Sequence, residues 1–182
     1  MVEFINLPFE IILYIAELNH NVWYCLIQVD RQLGKYSLQH HVQEIIKRKF
    51  SKKKVVISGN KQNIYYELPN GNIHGEYLYY RLKKDKQILI GKYNYYMDLQ
   101  EGIQRTWYIN GKKKLEYIIN DNRLHGKYTR WYDNEQIELE RFFVNGLGYG
   151  SYKRWSYVGH LISNFILEAD KIISVETYRF II

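Results

Sequence analysis

The sequence predicts an α+β chain, with a small helical module over residues 1–50 followed by tandem β-hairpins over residues 51–182. Three observations carry this. Trp107, Trp131 and Trp155 stand 24 residues apart, each closing a run that opens with glycine: Gly102-Ile-Gln-Arg-Thr-Trp107, Gly126-Lys-Tyr-Thr-Arg-Trp131 and Gly150-Ser-Tyr-Lys-Arg-Trp155. A fourth copy, Gly75-Glu-Tyr-Leu-Tyr-Tyr80, has Tyr80 in the tryptophan position. Before residue 51 apolar residues follow a helical spacing, and after it they alternate with period two. Fixed-period self-similarity marks an array in which each unit stacks on the next. Such an array is not built to enclose a catalytic pocket.

The first fifty residues read as three short helices. Leu7, Ile11, Ile15 and Leu18 form one apolar stripe, with Ile12 beside it. Asn6 suits the N-cap, and Pro8 is tolerated in a first turn. Asn19-His20-Asn21 breaks the stripe. A second helix carries Trp23, Leu26 and Ile27, and a third runs from near Asp30 through Leu33, Leu38, Val42, Ile45 and Ile46. Lys47-Arg48-Lys49 then falls in a last turn, where cations suit the helix dipole.

Leu7-Pro8-x-Glu10-Ile11-x-x-x-Ile15-x-x-Leu18, followed by Trp23 and by Val29-x-Arg31-x-Leu33, resembles an F-box over roughly residues 4–48. Asn19-His20-Asn21-Val22 replaces the family's usual segment after the first helix. The resemblance implies a three-helix module that docks on the Skp-type adaptor of cullin–RING ubiquitin ligases. Leu7, Pro8, Glu10, Ile11, Ile15, Leu18, Val29 and Leu33 are the residues it assigns to that contact. Without the resemblance, the same segment reads as an amphipathic cap on the repeat array.

Ser51-Lys-Lys-Lys54 is a polar break and the expected domain boundary. Beyond it, Gly, Asn and Asp turns recur between alternating strands, the hairpin signature. Each unit reads as strand, turn, strand, short link. The expected turns are Lys83-Lys84-Asp85, Asn110-Gly111, Asp133-Asn134 and Val158-Gly159, with Asn110-Gly111 read as a two-residue turn with both positions at φ > 0. The second strands carry Tyr66, Tyr93, Tyr117 and Arg141. Gly75 and Gly102 lie 27 residues apart, which places three extra residues between Arg81 and Ile90. The tail from Leu161 to Ile182 reads as a degenerate copy that caps its neighbour.

Gly75-Glu-Tyr77, Gly126-Lys-Tyr128 and Gly150-Ser-Tyr152, each after an Asn-rich turn, resemble MORN repeats of the variant, antitoxin-like kind over about residues 60–175. The resemblance implies consecutive hairpins in an elongated, twisted single-layer sheet. Glycine would allow close backbone approach, and Tyr77, Tyr80, Trp107, Tyr128, Trp131, Tyr152 and Trp155 would stack on their counterparts in the next unit. On that reading, Trp131→Ala costs about 3–5 kcal/mol.

Composition bounds the rest. The 182 residues suit one domain or two small ones. The net charge of +7 is uneven: residues 1–50 hold five basic and five acidic side chains, leaving 21 against 14 for residues 51–182. Cys25 is the only cysteine, so no intramolecular disulfide forms. Cys25, the lack of a long apolar run and a start without a basic n-region lead us to expect a soluble, intracellular chain. His74 and His125 recur before the repeat glycine and read as turn residues. His40-His41 has no partner at zinc-ligand spacing. No phosphate-loop, dinucleotide or nucleophile-elbow motif occurs. We therefore expect no enzyme, no cofactor and no metal.

The order of an F-box-like module and MORN-like hairpins resembles proteins found in multiple copies in large DNA viruses of amoebae, which implies a place in the host cytoplasm. On that resemblance the sheet recruits a target protein and the N-terminal residues recruit the ligase. Arg130, Tyr132, Arg154 and Tyr108 are the candidate anchors on the sheet. One alternative is a scaffold that self-associates, as a homodimer or larger, through the sheet edge or the apolar helices. Another is a binder of nucleic acid or anionic membrane. It would use Lys47–Lys49, Lys52–Lys54, Lys83–Lys86 and Lys112–Lys114 together with the 19 tyrosines, although no specific motif supports it.

Overall fold

The computed structural model describes residues 51–68, 71–84 and 86–175. The chain divides at Ser51/Lys52, and apart from Ser51 the described residues belong to the second unit. That unit is all-β. Twelve strands form one antiparallel sheet: β1 (Lys52–Ser58), β2 (Lys61–Glu67), β3 (Gly75–Lys83), β4 (Lys86–Tyr96), β5 (Leu99–Gln100), β6 (Gly102–Trp107), β7 (Lys113–Asn120), β8 (Arg123–Trp131), β9 (Ile137–Val144), β10 (Leu147–Trp155), β11 (Leu161–Glu168) and β12 (Lys171–Val175). The order across the sheet is the order along the chain, with β5 pairing β4 off the main path.

The expected α+β class is therefore corrected: no helix occurs among the described residues. The reason is local. A chain reversal follows strands of at most 11 residues, and the segments between turns follow the two-residue period of strands. The three expected helices fall on residues 1–50, outside the described residues. Lys52–Lys54, expected as part of a polar break, instead open β1, where Lys54 pairs with Glu67 at 3.3 Å.

The turns at the two ends of the strands differ, and each kind keeps the period. At one end, four tight turns have both central residues at positive φ: Met97-Asp98 (51° and 66°), Asp121-Asn122 (49° and 58°), Asn145-Gly146 (51° and 90°) and Ala169-Asp170 (47° and 64°). That is the type I′ pattern, whose twist matches paired strands. These are the segments expected as short links. They are themselves hairpin turns, so the sheet is an unbroken meander.

At the other end the loops are longer. Gly111 N–H donates to the Tyr108 carbonyl, and Tyr108 N–H to the Lys112 carbonyl. Glu135 with Tyr132 and Gly159 with Ser156 repeat the first bond. Only the third loop residue has positive φ: Gly111 at 85°, Glu135 at 72° and Gly159 at 89°. Asn110-Gly111 is thus not a two-residue turn with both positions at φ > 0. It is the end of a three-residue loop, a tight turn followed by one left-handed residue. The Asn110 side chain secures it by accepting from Lys112 N–H at 3.0 Å, as Asn134 does from Gln136 N–H at 3.0 Å. Where Val158 replaces asparagine, the Ser156 hydroxyl takes over and accepts from His160 N–H at 3.0 Å.

The extra residues between Gly75 and Gly102 lengthen one hairpin. β3 and β4 pair from Gly75↔Tyr95 to Lys83↔Lys86, whereas β6 and β7 end at Trp107↔Lys113.

The core is a thin string. Buried apolar residues are Leu68, Met97, Ile119, Leu139, Phe143 and Leu167. Ile119, Phe143 and Leu167 keep the repeat spacing, and each is the cross-strand partner of a repeat glycine: Gly102↔Ile119, Gly126↔Phe143 and Gly150↔Leu167. Each strand makes its main contacts with its neighbours in the sheet, so the described unit is a single layer.

Candidate interaction surface

Alternation along each strand and the register between strands sort the side chains onto two faces. One face carries the tyrosine row. Tyr77↔Tyr93, Gln104↔Tyr117, Tyr117↔Tyr128, Tyr128↔Arg141 and Tyr152↔Phe165 are direct cross-strand partners. Tyr65 joins the row, stacked on Tyr77 at 5.3 Å. Tyr66, the strand position expected to align with Tyr93 and Tyr117, points to the other face because it neighbours Tyr65. Tyr77 meets Tyr93 at 6.3 Å, Tyr117 meets Tyr128 at 6.1 Å, and Tyr152 lies parallel to Phe165 at 4.3 Å. Arg141 bridges the row's last gap, 4.2 Å from the Phe143 ring and 5.7 Å from the Tyr152 ring. Burial, then the neighbouring phenols, raise the pKa values of Tyr77, Tyr93 and Tyr117.

Gln104 occupies the tyrosine position of its copy and is fully buried. Its amide accepts from Asn94 N–H at 2.9 Å and donates toward the carbonyls of Asn94 and Glu101, both at 3.1 Å. The β4–β6 ladder has only two Cα pairs, Gly91↔Thr106 and Lys92↔Arg105. Gln104 thus supplies hydrogen bonds where the backbone ladder is shortest. The break in the Gly-x-Tyr pattern was the visible signal for this residue, which sequence reasoning passed over.

Trp107, Trp131 and Trp155 lie on the opposite face. Each follows a register shift and pairs with Lys113, Ile137 and Leu161 in turn. Tyr80 follows the same kind of shift and pairs with Leu89. Successive indoles are two strands apart, about 9–10 Å, and no ring pair among the described residues joins two of them. The nearest ring contact is a cation: Lys113 Nζ sits 5.1 Å from the Trp131 ring. Ion pairs also lie on this face, with Glu76–Lys92 and Arg105–Glu116 at 2.7 Å and Lys127–Glu140 at 2.5 Å. Burial pushes the Glu116 pKa up, but the hydrogen bond and charge of Arg105, with Lys113, outweigh it and hold it below the usual value.

The repeat glycines serve backbone conformation more than close approach. Gly75, Gly102, Gly126 and Gly150 have φ of 81°, 74°, 95° and 67°. A Cβ built on Gly102 or Gly150 meets nothing within 4 Å. Close approach governs Gly148 instead, where a Cβ would lie 2.5 Å from Arg141 Nη2 and 2.8 Å from Asp170 Oδ1.

At the three-residue-loop end, the repeats are joined one to the next. Tyr108 Oη donates to the Trp131 carbonyl at 2.7 Å, and Tyr132 Oη to the Trp155 carbonyl at 3.0 Å. Asn134 Nδ2 donates to the Tyr157 carbonyl at 2.9 Å. Tyr157 Oη donates to Asp133 Oδ1 at 2.9 Å, which, ahead of burial, raises its pKa. Arg130 holds Glu138 with two nitrogens, at 2.7 and 2.8 Å. Burial first, then Glu138 and Asp133, raise the Tyr108 pKa, while Arg130 opposes them. Arg154, one repeat on from Arg130, is exposed, and its side chain makes no hydrogen bond or ion pair with the described residues.

Other expected site residues fall as follows. Leu7, Pro8, Glu10, Ile11, Ile15, Leu18, Val29 and Leu33 lie outside the described residues. His74 is buried with its ring 5.3 Å from Tyr96, and His125 Nδ1 lies 3.3 Å from Asn145 Oδ1. Lys112–Lys114 is not a free basic patch: Lys112 faces Glu135 at 3.6 Å, Lys113 covers Trp131, and Lys114 covers Tyr108 at 5.4 Å. Among the described residues, no group of three His, Cys, Asp or Glu is placed to hold a metal ion.

No family model matches the sequence, and no curated protein matches it. Among solved structures, the chain is similar to a crystal structure of a mutant of S. aureus TarM in complex with fondaparinux, alpha-GlcNAc-glycerol and UDP, at 10% identity. It is also similar to a crystal structure of TarM at 14% identity. Both matches cover 84% of this chain and have a TM-score of 0.30. This chain spans only 27% of the length of either. At that TM-score the likeness carries no argument about function.

Proposed function

We propose that this chain is a non-enzymatic interaction adaptor. The sheet binds a target protein, and residues 1–50, through their F-box-like Leu7-Pro8-x-Glu10-Ile11 pattern, recruit the Skp-type adaptor of a cullin–RING ubiquitin ligase. The observation that carries the reading is that the described residues form a sheet one layer thick. Its tyrosine face presents Tyr and Arg side chains already held by hydrogen bonds and ring contacts. Those residue types dominate interface hot spots, and rigid side chains lose little freedom on binding. Ligase chemistry would be supplied by the recruited complex and not by this chain.

The test is a pull-down of the full chain with a purified Skp-type subunit. Wild type should retain the subunit, and a Leu7→Asp, Ile11→Asp double variant should lose it. Equal retention by both, or by neither, removes the ligase half of the proposal.

A second reading, a self-associating scaffold, is favoured by the edges of the sheet. Val55, Val56 and Ile57 in β1 and Ile172, Ile173 and Val175 in β12 are exposed apolar residues on terminal strands. Such edges template pairing with another chain. Light scattering across protein concentration separates the two readings, because a monomer at all concentrations excludes the scaffold.

A further inference from the structure

The repeat period sets equivalent corners of the tyrosine face side by side, and they are not filled alike. In one corner Tyr108, Arg130 and Glu138 close on one another. Glu138 projects from the bulge between the pairs Arg130↔Leu139 and Trp131↔Ile137, and its carboxylate fills the fork of Arg130. One repeat on, the same three positions hold Tyr132, Arg154 and Ile162. Tyr132 repeats the bond of Tyr108. Ile162 occupies the same bulge, between Arg154↔Ser163 and Trp155↔Leu161. The third of these positions thus carries no carboxylate. Arg154 is exposed, Ile162 is 50% exposed, and Tyr157 beside the loop is 52% exposed.

We propose that the Tyr132–Arg154–Ile162 corner docks an acidic segment of the target protein. One Asp or Glu carboxylate of that segment takes the place that Glu138 holds a repeat earlier, and an adjacent apolar side chain covers Ile162. The proposal rests on the adaptor reading and names the chemistry of its target. Its template is inside the molecule: the Arg130–Glu138 pair, with a hydrogen bond at Nη2 and a close ion contact at Nε, shows how a carboxylate approaches this guanidinium. Charge is complementary, since the chain carries a net +7 with its excess in residues 51–182. The exposed Ile162 favours a peptide over a phosphodiester backbone, which would leave that side chain in water. An Arg beside aromatic and apolar surface is also the composition of an interface anchor.

The test is to pan a phage-displayed random peptide library on the full chain. The enriched peptides are then synthesised and their affinities measured for wild type, Arg154→Ala and Ile162→Glu. Ile162→Glu supplies an internal carboxylate in the position of Glu138. We expect enriched peptides to share an acidic residue next to an apolar one, and to weaken roughly tenfold or more on each substitution. Both positions are exposed, and unchanged thermal melting of the variants checks that the fold is kept. Peptides without an acidic residue, acidic peptides that bind both variants as well as wild type, or no enrichment at all would each overturn the corner. Peptides that bind elsewhere on the sheet defeat this proposal while leaving the adaptor reading in place. Failure of the Skp pull-down defeats the ligase half without touching this result. Single-stranded RNA or anionic vesicles that bind through Arg154 where peptides do not would also count against it.

Discussion

The Tyr108 phenol donates to the main-chain carbonyl of Trp131 at 2.7 Å, and Tyr132 does the same to Trp155 at 3.0 Å. These bonds skip a strand and tie one repeat to the next, so the residue after the tryptophan, not the indole, adds a side-chain link to the backbone ladder. Tyr108→Phe and Tyr132→Phe should each cost about 1 kcal/mol. The two should add, since they join different pairs of repeats. Denaturant unfolding of the single and double variants checks this, and a double variant as stable as wild type would show that the repeats are held together some other way.

Two backbone changes should act in opposite directions. Gly102→Ala places its methyl in open space, yet the φ of 74° should make it destabilising by about 1–2 kcal/mol. Glu135 occupies the loop position held by Gly111 and Gly159, with φ of 72°. Glu135→Gly should therefore stabilise by up to about 1 kcal/mol, losing only an exposed contact with Lys112. Thermal melts that move in the same direction for both changes contradict the φ argument.

Burial ranks the aromatic residues differently from sequence spacing. Phe143 is 7% exposed, sits opposite Gly126 and touches Tyr128 and Arg141. Phe143→Ala should cost about 3 kcal/mol or more. Trp131 is half-buried and meets no other indole, so Trp131→Ala should cost less than the 3–5 kcal/mol that an indole ladder implied. The comparison is direct: urea midpoints falling further for Trp131→Ala than for Phe143→Ala would restore the tryptophan as the core residue.

The tyrosine row predicts alkaline sensitivity. Tyr77, Tyr93 and Tyr117 titrate above their ordinary value of 10.0 because burial, and then neighbouring phenols with Tyr95 common to all three, disfavour the phenolate. A raised folded-state pKa means the folded chain holds those protons more tightly than the unfolded chain. Their contribution is complete below pH 10.0 and is lost as pH rises through that value and beyond it. Phenolate absorbance and the circular dichroism of the sheet should therefore change together, and Tyr93→Phe should move the transition to higher pH. Phenolates appearing at the ordinary value with the sheet intact would show that the row is solvated.

Much of the sheet was legible because the repeat is written twice, once in Gly-x-Tyr and once in the tryptophan spacing. That period places Tyr93 and Tyr117 on second strands, where the register pairs them with Tyr77 and Tyr128. Three things were hidden. Met97-Asp98 and Ala169-Asp170 form type I′ turns without the usual glycine, because register on both sides fixes the turn length and overrides the φ preference of Met97 and Ala169. β1 was missed because Lys52–Lys54 reads as a charged link, when edge strands carry lysine for solubility. The indoles were expected to touch because the period gives separation along the chain. Contact depends on separation across strands, and β7 lies between Trp107 and Trp131. At the candidate site, Arg130, Tyr132, Arg154 and Tyr108 were named from strand parity, but which arginine was already occupied depended on Glu138 and its counterpart Ile162.

Every strand of the meander finds its partner in the next stretch of chain. Such a molecule can be lengthened or shortened by one copied segment of gene without rewiring any other pairing. Its sheet can also form in the order in which it leaves the ribosome, each hairpin laid against the one before, because each described strand pairs with its neighbours along the chain.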